Sequence, residues 1–175
     1  MGAQEGVGGV GALVRGGARP LTLTGPGGTG KTRLAIEAAY ELVPEFRSGV
    51  FWVKLASVRD PALVLETVAQ TLGAKEGLAE HIGERELLLL LDNFEQVIEA
   101  APDLSALLRA FINLHLFVTS RELLRIDVEL EYAVPPLGES DAVELFSERS
   151  RLPTDDTAAE LCRRLDNLPL ATAHS

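Results

Sequence analysis

The sequence predicts an α/β fold with a mainly parallel β-sheet, helices on both faces and a short helical C-terminal extension. Three observations lead to this prediction. β-type runs and helical patterns alternate along most of the chain, as they do in parallel sheets. The run at 87–92 is short and almost wholly apolar, as expected of a strand buried on both faces, and the run at 114–120 is predicted to be another buried strand. A glycine-rich loop at 25–32 joins the first β-type run to the first helical pattern.

Each predicted element rests on a local pattern. Five runs rich in leucine, β-branched or aromatic residues are predicted as strands: residues 20–24, 50–56, 87–92, 114–120 and 131–137. Helices are predicted where apolar residues recur at three- and four-residue spacing: residues 32–43, 61–72 and 104–111, and two more that begin after Ser140 and Thr154. Pro44 and Gly73 are expected to end the first two helices.

These elements divide the chain into three parts. Residues 1–19 are rich in glycine and show no convincing period, so we expect a flexible or weakly ordered lead-in, with at most a short helix around Val10 to Arg15. Residues 20–137 form the predicted core. Residues 138–175 are expected to be the start of a helical subdomain that is truncated.

Composition excludes several classes of protein. The net charge is −10, and no cluster of lysine and arginine is visible, so direct nucleic-acid binding by this segment is not expected. The single Cys162 excludes an internal disulfide framework. The longest apolar run, residues 87–91, is too short to cross a bilayer, and the first residues lack the features of a signal peptide. A cytoplasmic location without membrane contact is therefore expected.

Residues 25–32, GPGGTGKT, match the pattern G-x-x-x-x-G-K-[ST] of phosphate-binding loops. Glycines let successive backbone N–H groups converge on a phosphate. Lys31 is expected to bridge the β- and γ-phosphates, and the Thr32 hydroxyl to bind Mg²⁺. The predicted nucleotide-binding residues are Gly25, Gly27, Gly28, Thr29, Gly30, Lys31, Thr32 and Arg33. The alternative is a flexible glycine loop that matches by chance.

A carboxylate at the end of a neighbouring strand would complete the metal site, and Asp92 follows the apolar run at 87–91. We expect it to hold Mg²⁺ through water; the alternative is an aspartate that begins a solvated turn. Asn93 stands where many hydrolytic NTPases carry a glutamate, so Asn93→Glu is expected to raise ATP hydrolysis. Glu95 is the nearest acid and a catalytic candidate, although it points elsewhere unless the turn carries it back.

Arg121 follows the strand at 114–120, and ligands of parallel sheets gather outside the carboxyl ends of strands. From an adjacent strand its guanidinium would approach the γ-phosphate and report whether that phosphate is present. The alternative is a surface arginine that pairs with Glu122 or Glu95.

Six segments, in order, resemble one family: LTLTGPGGTGKTRLA, LLLLLDNFEQV, FVTSRELLR, YAVPPL, DAVELFSERSR and LCRRLDNLPLA. They are similar to the NB-ARC, or STAND-type, P-loop ATPase domains of large bacterial transcriptional regulators, over residues 20–171. The resemblance implies an ATP/ADP switch with Walker A residues 25–32, Walker B Asp92 and sensor Arg121. It also implies that Pro169 lies near the base or ribose; the alternative is a helix stop after Leu165.

Together these inferences predict an ATP/ADP-binding, Mg²⁺-dependent switch domain with weak or no ATPase activity alone. Its expected partners are the nucleotide and either a second copy or adjacent regulatory domains. A non-catalytic interaction remnant of such a regulator is the alternative. A small-molecule kinase is less favoured, because no arginine-rich lid or acceptor pocket is visible between Asp92 and Arg121.

Overall fold

The structure, a computed structural model, describes residues 3–135 of the 175-residue chain. Five parallel strands form one sheet in the order β2-β3-β4-β1-β5. They are β1 (Leu21–Thr24), β2 (Val50–Lys54), β3 (Leu87–Asp92), β4 (Leu114–Ser120) and β5 (Leu130–Ala133). All five predicted strands are present, and the all-parallel pairing confirms the predicted sheet.

Five α-helices lie between and before the strands of the described segment: α1 (Ala3–Arg15), α2 (Lys31–Leu42), α3 (Val64–Leu72), α4 (Leu78–Ile82) and α5 (Ala101–Ala110). Short 3₁₀ segments cover Val43–Glu45, Pro61–Leu63 and Phe94–Ala100. The helices predicted at 32–43, 61–72 and 104–111 are present, whereas α4 and the last 3₁₀ segment were not predicted. None of the described helices has the length and apolar character needed to cross a membrane. The helices predicted after Ser140 and Thr154 lie outside the described residues.

The lead-in differs from its prediction, because α1 is a helix of 13 residues that packs against α2. Val7, Val10 and Val14 recur at helical spacing and are buried. Glycine lowers helix propensity, and the glycines of α1 hid this period in the sequence. Tertiary packing of the valine face supplies what propensity lacks.

Two apolar layers enclose the sheet. Leu87, Leu89 and Leu91 of β3 join the layer of α3 and α5, whereas Leu88 and Leu90 join the layer of α1 and α2. This alternation follows from the two-residue period of a strand. Helices therefore cover both faces, as predicted. The same period turns Asp92, the last residue of β3, toward the layer of α2.

Candidate nucleotide site

The glycine-rich loop leaves the end of β1 and enters α2, as the sequence predicts. Gly28 and Gly30 have φ angles of 82° and 85°, a left-handed region that residues with a Cβ rarely adopt. Gly30 is the N-cap of α2, so the helix begins at Lys31 and its free N–H groups face the loop. The loop thus has the backbone form that anion binding requires.

Lys31 is buried, and its ammonium lies within the loop. Nζ donates hydrogen bonds to the carbonyl oxygens of Gly25 at 2.7 Å and Pro26 at 2.8 Å. Burial lowers the pKa of Lys31, an effect that the negative charge of Glu95 partly opposes. The cation is therefore placed at the centre of the loop and held there by the loop's own carbonyl groups.

Asp92 lies beside the start of α2. Its Oδ1 accepts hydrogen bonds from the Thr32 hydroxyl at 2.8 Å and from the Thr119 hydroxyl at 2.6 Å. The expectation that Asp92 ends a strand neighbouring β1 is wrong, since β4 lies between β1 and β3. Thr119 of that intervening strand spans the gap. Sequence reasoning missed its role, although a polar pair, Thr119 and Ser120, at the end of an apolar strand was a usable signal.

The donor set suits Mg²⁺ bound together with a nucleotide. Within the described part of the chain, no group of three or more His, Cys, Asp or Glu side chains could hold a metal ion. Magnesium commonly takes one or two protein ligands and completes its shell with phosphate oxygens and water. The Thr32 hydroxyl and the Asp92 carboxylate, 2.8 Å apart, match that requirement.

The turn after β3 carries Glu95 back toward the site. Asn93 has φ 61° and ψ 45°, and its N–H donates to the Thr119 hydroxyl at 3.0 Å. The Glu95 side chain is 20% exposed, and its charge affects Lys31 more than that of Asp92 does. Because Asn tolerates the left-handed region better than Glu, Asn93→Glu would strain this turn instead of simply supplying a base.

Arg121 lies between the loop and Glu95. Its Nη2 is 3.1 Å from the position that a Cβ on Gly27 would occupy. Its Nε is 3.7 Å from Glu95 Oε1, so one of the two ion pairs considered from the sequence is present. Both interpretations of Arg121 therefore describe part of its position: it faces the phosphate loop and it pairs with Glu95.

A cleft of about 470 Å³ opens beside the start of the loop and was not predicted. Its lining includes Gly25 and Pro26 of the loop together with Arg121, Arg125 and Glu131. The Glu131 carboxylate accepts a hydrogen bond from the Thr24 hydroxyl at the end of β1. The cleft is therefore continuous with the phosphate loop.

Glu129 holds the connection between β4 and β5 that forms one wall of this cleft. Its Oε1 accepts from the Thr22 hydroxyl at 2.7 Å and from the N–H of Leu124 at 2.8 Å. Its Oε2 accepts from the N–H of Arg125 at 2.9 Å, where φ is 59°. One carboxylate thus ties the connection to β1, a contact that no local sequence pattern indicated.

Comparison with solved structures identifies the architecture. Cdc6p from Pyrobaculum aerophilum matches with a TM-score of 0.64 at 16% identity, over 85% of this chain and 49% of that chain. The P-loop NTPase fold is therefore established. The ORC2 protein of Aeropyrum pernix, solved in ADPNP and ADP complexes, also matches this chain, with a TM-score of 0.57 at 16% identity. The match covers 86% of this chain and 51% of that one. At such identities the likeness concerns the fold alone.

Curated relatives share more of the sequence. A Mycobacterium tuberculosis (strain H37Rv) protein named "Putative HTH-type transcriptional regulator" is 38% identical over an alignment that covers 87% of this chain and 19% of the relative. An uncharacterized protein of the same strain is 37% identical over an alignment that covers 87% of this chain and 44% of the relative. This chain thus spans less than half of the length of either relative. No family model matches it.

Proposed function

We propose that this chain is the ATP/ADP-binding switch domain of a STAND or NB-ARC-like regulator, with weak or no hydrolysis alone. The observation that carries the proposal is the hydrogen bond between Thr32 and Asp92, 2.8 Å long, beside the buried Lys31. Two distant segments of sequence thereby bring a hydroxyl, a carboxylate and a cation to one glycine-rich loop. This combination serves a nucleoside triphosphate with Mg²⁺.

Each side chain has a proposed role. Backbone N–H groups at 27–32 receive the phosphates, and Lys31 exchanges its two carbonyl acceptors for β- and γ-phosphate oxygens. The Thr32 hydroxyl, which donates to Asp92 at 2.8 Å, would bind Mg²⁺ directly, and Asp92 would hold the ion through water. Arg33 follows as a further nucleotide contact. Pro169, proposed to lie near the base or ribose, falls outside the described residues.

Arg121 distinguishes the triphosphate from the diphosphate in this proposal. Its guanidinium faces Gly27 of the phosphate loop, where it can pair with a γ-phosphate that ADP lacks. A ligand shifts a conformational equilibrium only through unequal contacts with the two states. Arg121 provides such a contact, because its guanidinium pairs with the γ-phosphate of ATP. With ADP bound, the guanidinium stays paired with Glu95.

The relatives support a regulatory setting. Those that carry a functional name are named HTH-type transcriptional regulators, and this chain corresponds to about a fifth of their length. We propose that the switch acts on adjacent regulatory domains or on a second copy. Direct contact with nucleic acid is not part of the proposal, because the chain carries a net charge of −10.

Isothermal titration of the chain with Mg-ATP and Mg-ADP tests the proposal. Wild type should bind both with dissociation constants below a millimolar. Lys31→Ala should weaken binding by about 10- to 150-fold, since hydrogen bonds to charged groups contribute roughly 1.5–3 kcal/mol. Lys75→Ala, which removes the same charge from an exposed position, should bind like wild type. Absence of wild-type binding at millimolar nucleotide contradicts the proposal.

One observation favours a second candidate, a non-catalytic interaction remnant. Lys31 bonds to carbonyl groups of its own loop, and Arg121 lies over Gly27, so the loop is closed on itself. A thermal-unfolding series in ATP and ADP separates the two candidates. Ligand at a hundred times its dissociation constant stabilises a protein by about 2.7 kcal/mol. A clear rise in melting temperature with nucleotide therefore contradicts the second candidate.

A further inference from the structure

Glu95 has one carboxylate oxygen that the described residues leave without a donor. Its Oε2 is buried and has no hydrogen-bond partner within residues 3–135. A buried acceptor without a donor is costly, and such groups occur where a function requires them. Its other oxygen, Oε1, lies 3.7 Å from Nε of Arg121, and the Arg121 guanidinium faces Gly27, so the carboxylate lies near the phosphate loop.

The backbone after β3 explains why the candidate base is residue 95 and not residue 93. Asn93 adopts the left-handed conformation, and its N–H is fixed by the Thr119 hydroxyl that also holds Asp92. The chain therefore reverses directly after β3. Phe94 is fully buried and begins the 3₁₀ segment, and Glu95, the next residue, lies within 3.7 Å of Arg121 beside the site.

Arg121 is the group that joins this acid to the phosphate loop. Its guanidinium reaches from Gly27, at 3.1 Å from the Cβ position, to Glu95 Oε1, at 3.7 Å. A γ-phosphate in the loop would compete with Glu95 for the same cation. If a γ-phosphate binds the guanidinium, the Glu95 carboxylate loses its ion pair. Without a γ-phosphate, the carboxylate stays paired with Arg121.

We propose that Glu95 is the general base for ATP hydrolysis. We further propose that Arg121 restrains Glu95 in an ion pair until a γ-phosphate binds the guanidinium. Water attacks the γ-phosphorus, and Glu95 accepts one proton of that water. The bond between the γ-phosphorus and its bridging oxygen breaks, and its electron pair leaves with ADP. Glu95 then returns the proton to solvent. The inference rests on the proposed nucleotide binding and adds a residue and a control to it.

Hydrolysis under single-turnover conditions tests the base, with phosphate release as the readout. Glu95→Gln should lower the rate by about 100-fold or more, since general acid–base catalysis contributes 10²–10⁴-fold. Glu99→Gln is the matched control, because it removes the same charge from an exposed position of the same 3₁₀ segment. An unchanged rate in Glu95→Gln, or no hydrolysis by a wild type that binds ATP, overturns the inference.

Binding measurements test the restraint. Glu95→Gln frees Arg121, so ATP should bind up to about fivefold tighter, the range of a partly exposed ion pair. ADP should still bind, with a smaller gain in affinity than ATP, which also shows that the variant folds. Equal changes for ATP and ADP, or weaker ATP binding, overturn the restraint.

These results separate the inference from the proposed function. If wild type binds neither nucleotide, the nucleotide site itself is wrong. If wild type and Glu95→Gln both bind Mg-ATP and hydrolyse it equally, the site stands and the assignment of Glu95 fails.

Discussion

The Thr119 hydroxyl donates to Asp92 Oδ1 and accepts from the N–H of Asn93. It is almost wholly buried and joins β4 to residues 92 and 93, which lie 27 and 26 positions earlier in the chain. At the residue scale, one hydroxyl therefore holds both the Asp92 carboxylate and the turn that carries Glu95.

Replacing Thr119 by Val should lower the free energy of unfolding by about 1–3 kcal/mol, because two buried polar groups lose their partner. Thr119→Ser keeps the hydroxyl and should lose less. Urea denaturation of both variants measures the difference. A valine variant as stable as wild type would show that the two hydrogen bonds contribute nothing to folding.

At the element scale, α1 shows how a helix can form despite four glycines at positions 6, 8, 9 and 11. Two of them differ in surroundings. A Cβ on Gly6 would lie 3.1 Å from Leu34 Cδ1, whereas a Cβ on Gly8 would meet nothing within 4 Å. Gly6 thus permits close packing on α2, and Gly8 only weakens the helix.

Gly8→Ala should therefore raise the free energy of unfolding by about 0.5–1 kcal/mol, the usual difference between alanine and glycine within a helix. Gly6→Ala should raise the free energy of unfolding less, or lower it, because the Leu34 side chain must move. Thermal or urea unfolding of the two variants compares them directly. Equal gains would mean that α1 does not pack on Leu34, and no gain from Gly8→Ala would favour the weakly ordered lead-in.

At the scale of the whole molecule, His115 of β4 connects distant parts of the chain. Its ring meets that of Phe46 edge to face, with centroids 5.1 Å apart. Burial lowers the pKa of His115 below 6.5; the Arg19 guanidinium lowers it further, and Glu86 raises it in part. The folded protein therefore favours the neutral ring more strongly than the unfolded chain does.

Stability should depend on pH through this residue. The contribution of neutral His115 is fully present above pH 6.5 and is lost as the pH falls toward the lower pKa of the folded state, because the unfolded chain binds the proton first. Denaturation of wild type and His115→Phe between about pH 7.5 and about pH 5, a range that spans the ordinary histidine pKa of about 6.5, measures this dependence. The variant should lose less stability on acidification, and parallel profiles would contradict the expectation.

Local pattern was sufficient for much of this molecule. The apolar runs, the glycine-rich loop and the helical spacing of leucines and alanines located the strands, the loop and three of the helices. They also placed Asp92 at the end of a buried strand. These features depend on neighbours within a few residues, which the sequence displays directly.

Only the tertiary structure decided how these elements meet. It set β4 between β1 and β3, which made Thr119 the bridge to Asp92. It turned the chain at Asn93, which brought Glu95 to Arg121, and it docked α1 through glycines that the pattern assigned to a loose segment. Strand order, left-handed turns and close helix contacts arise from groups far apart in the chain, so no local period encodes them.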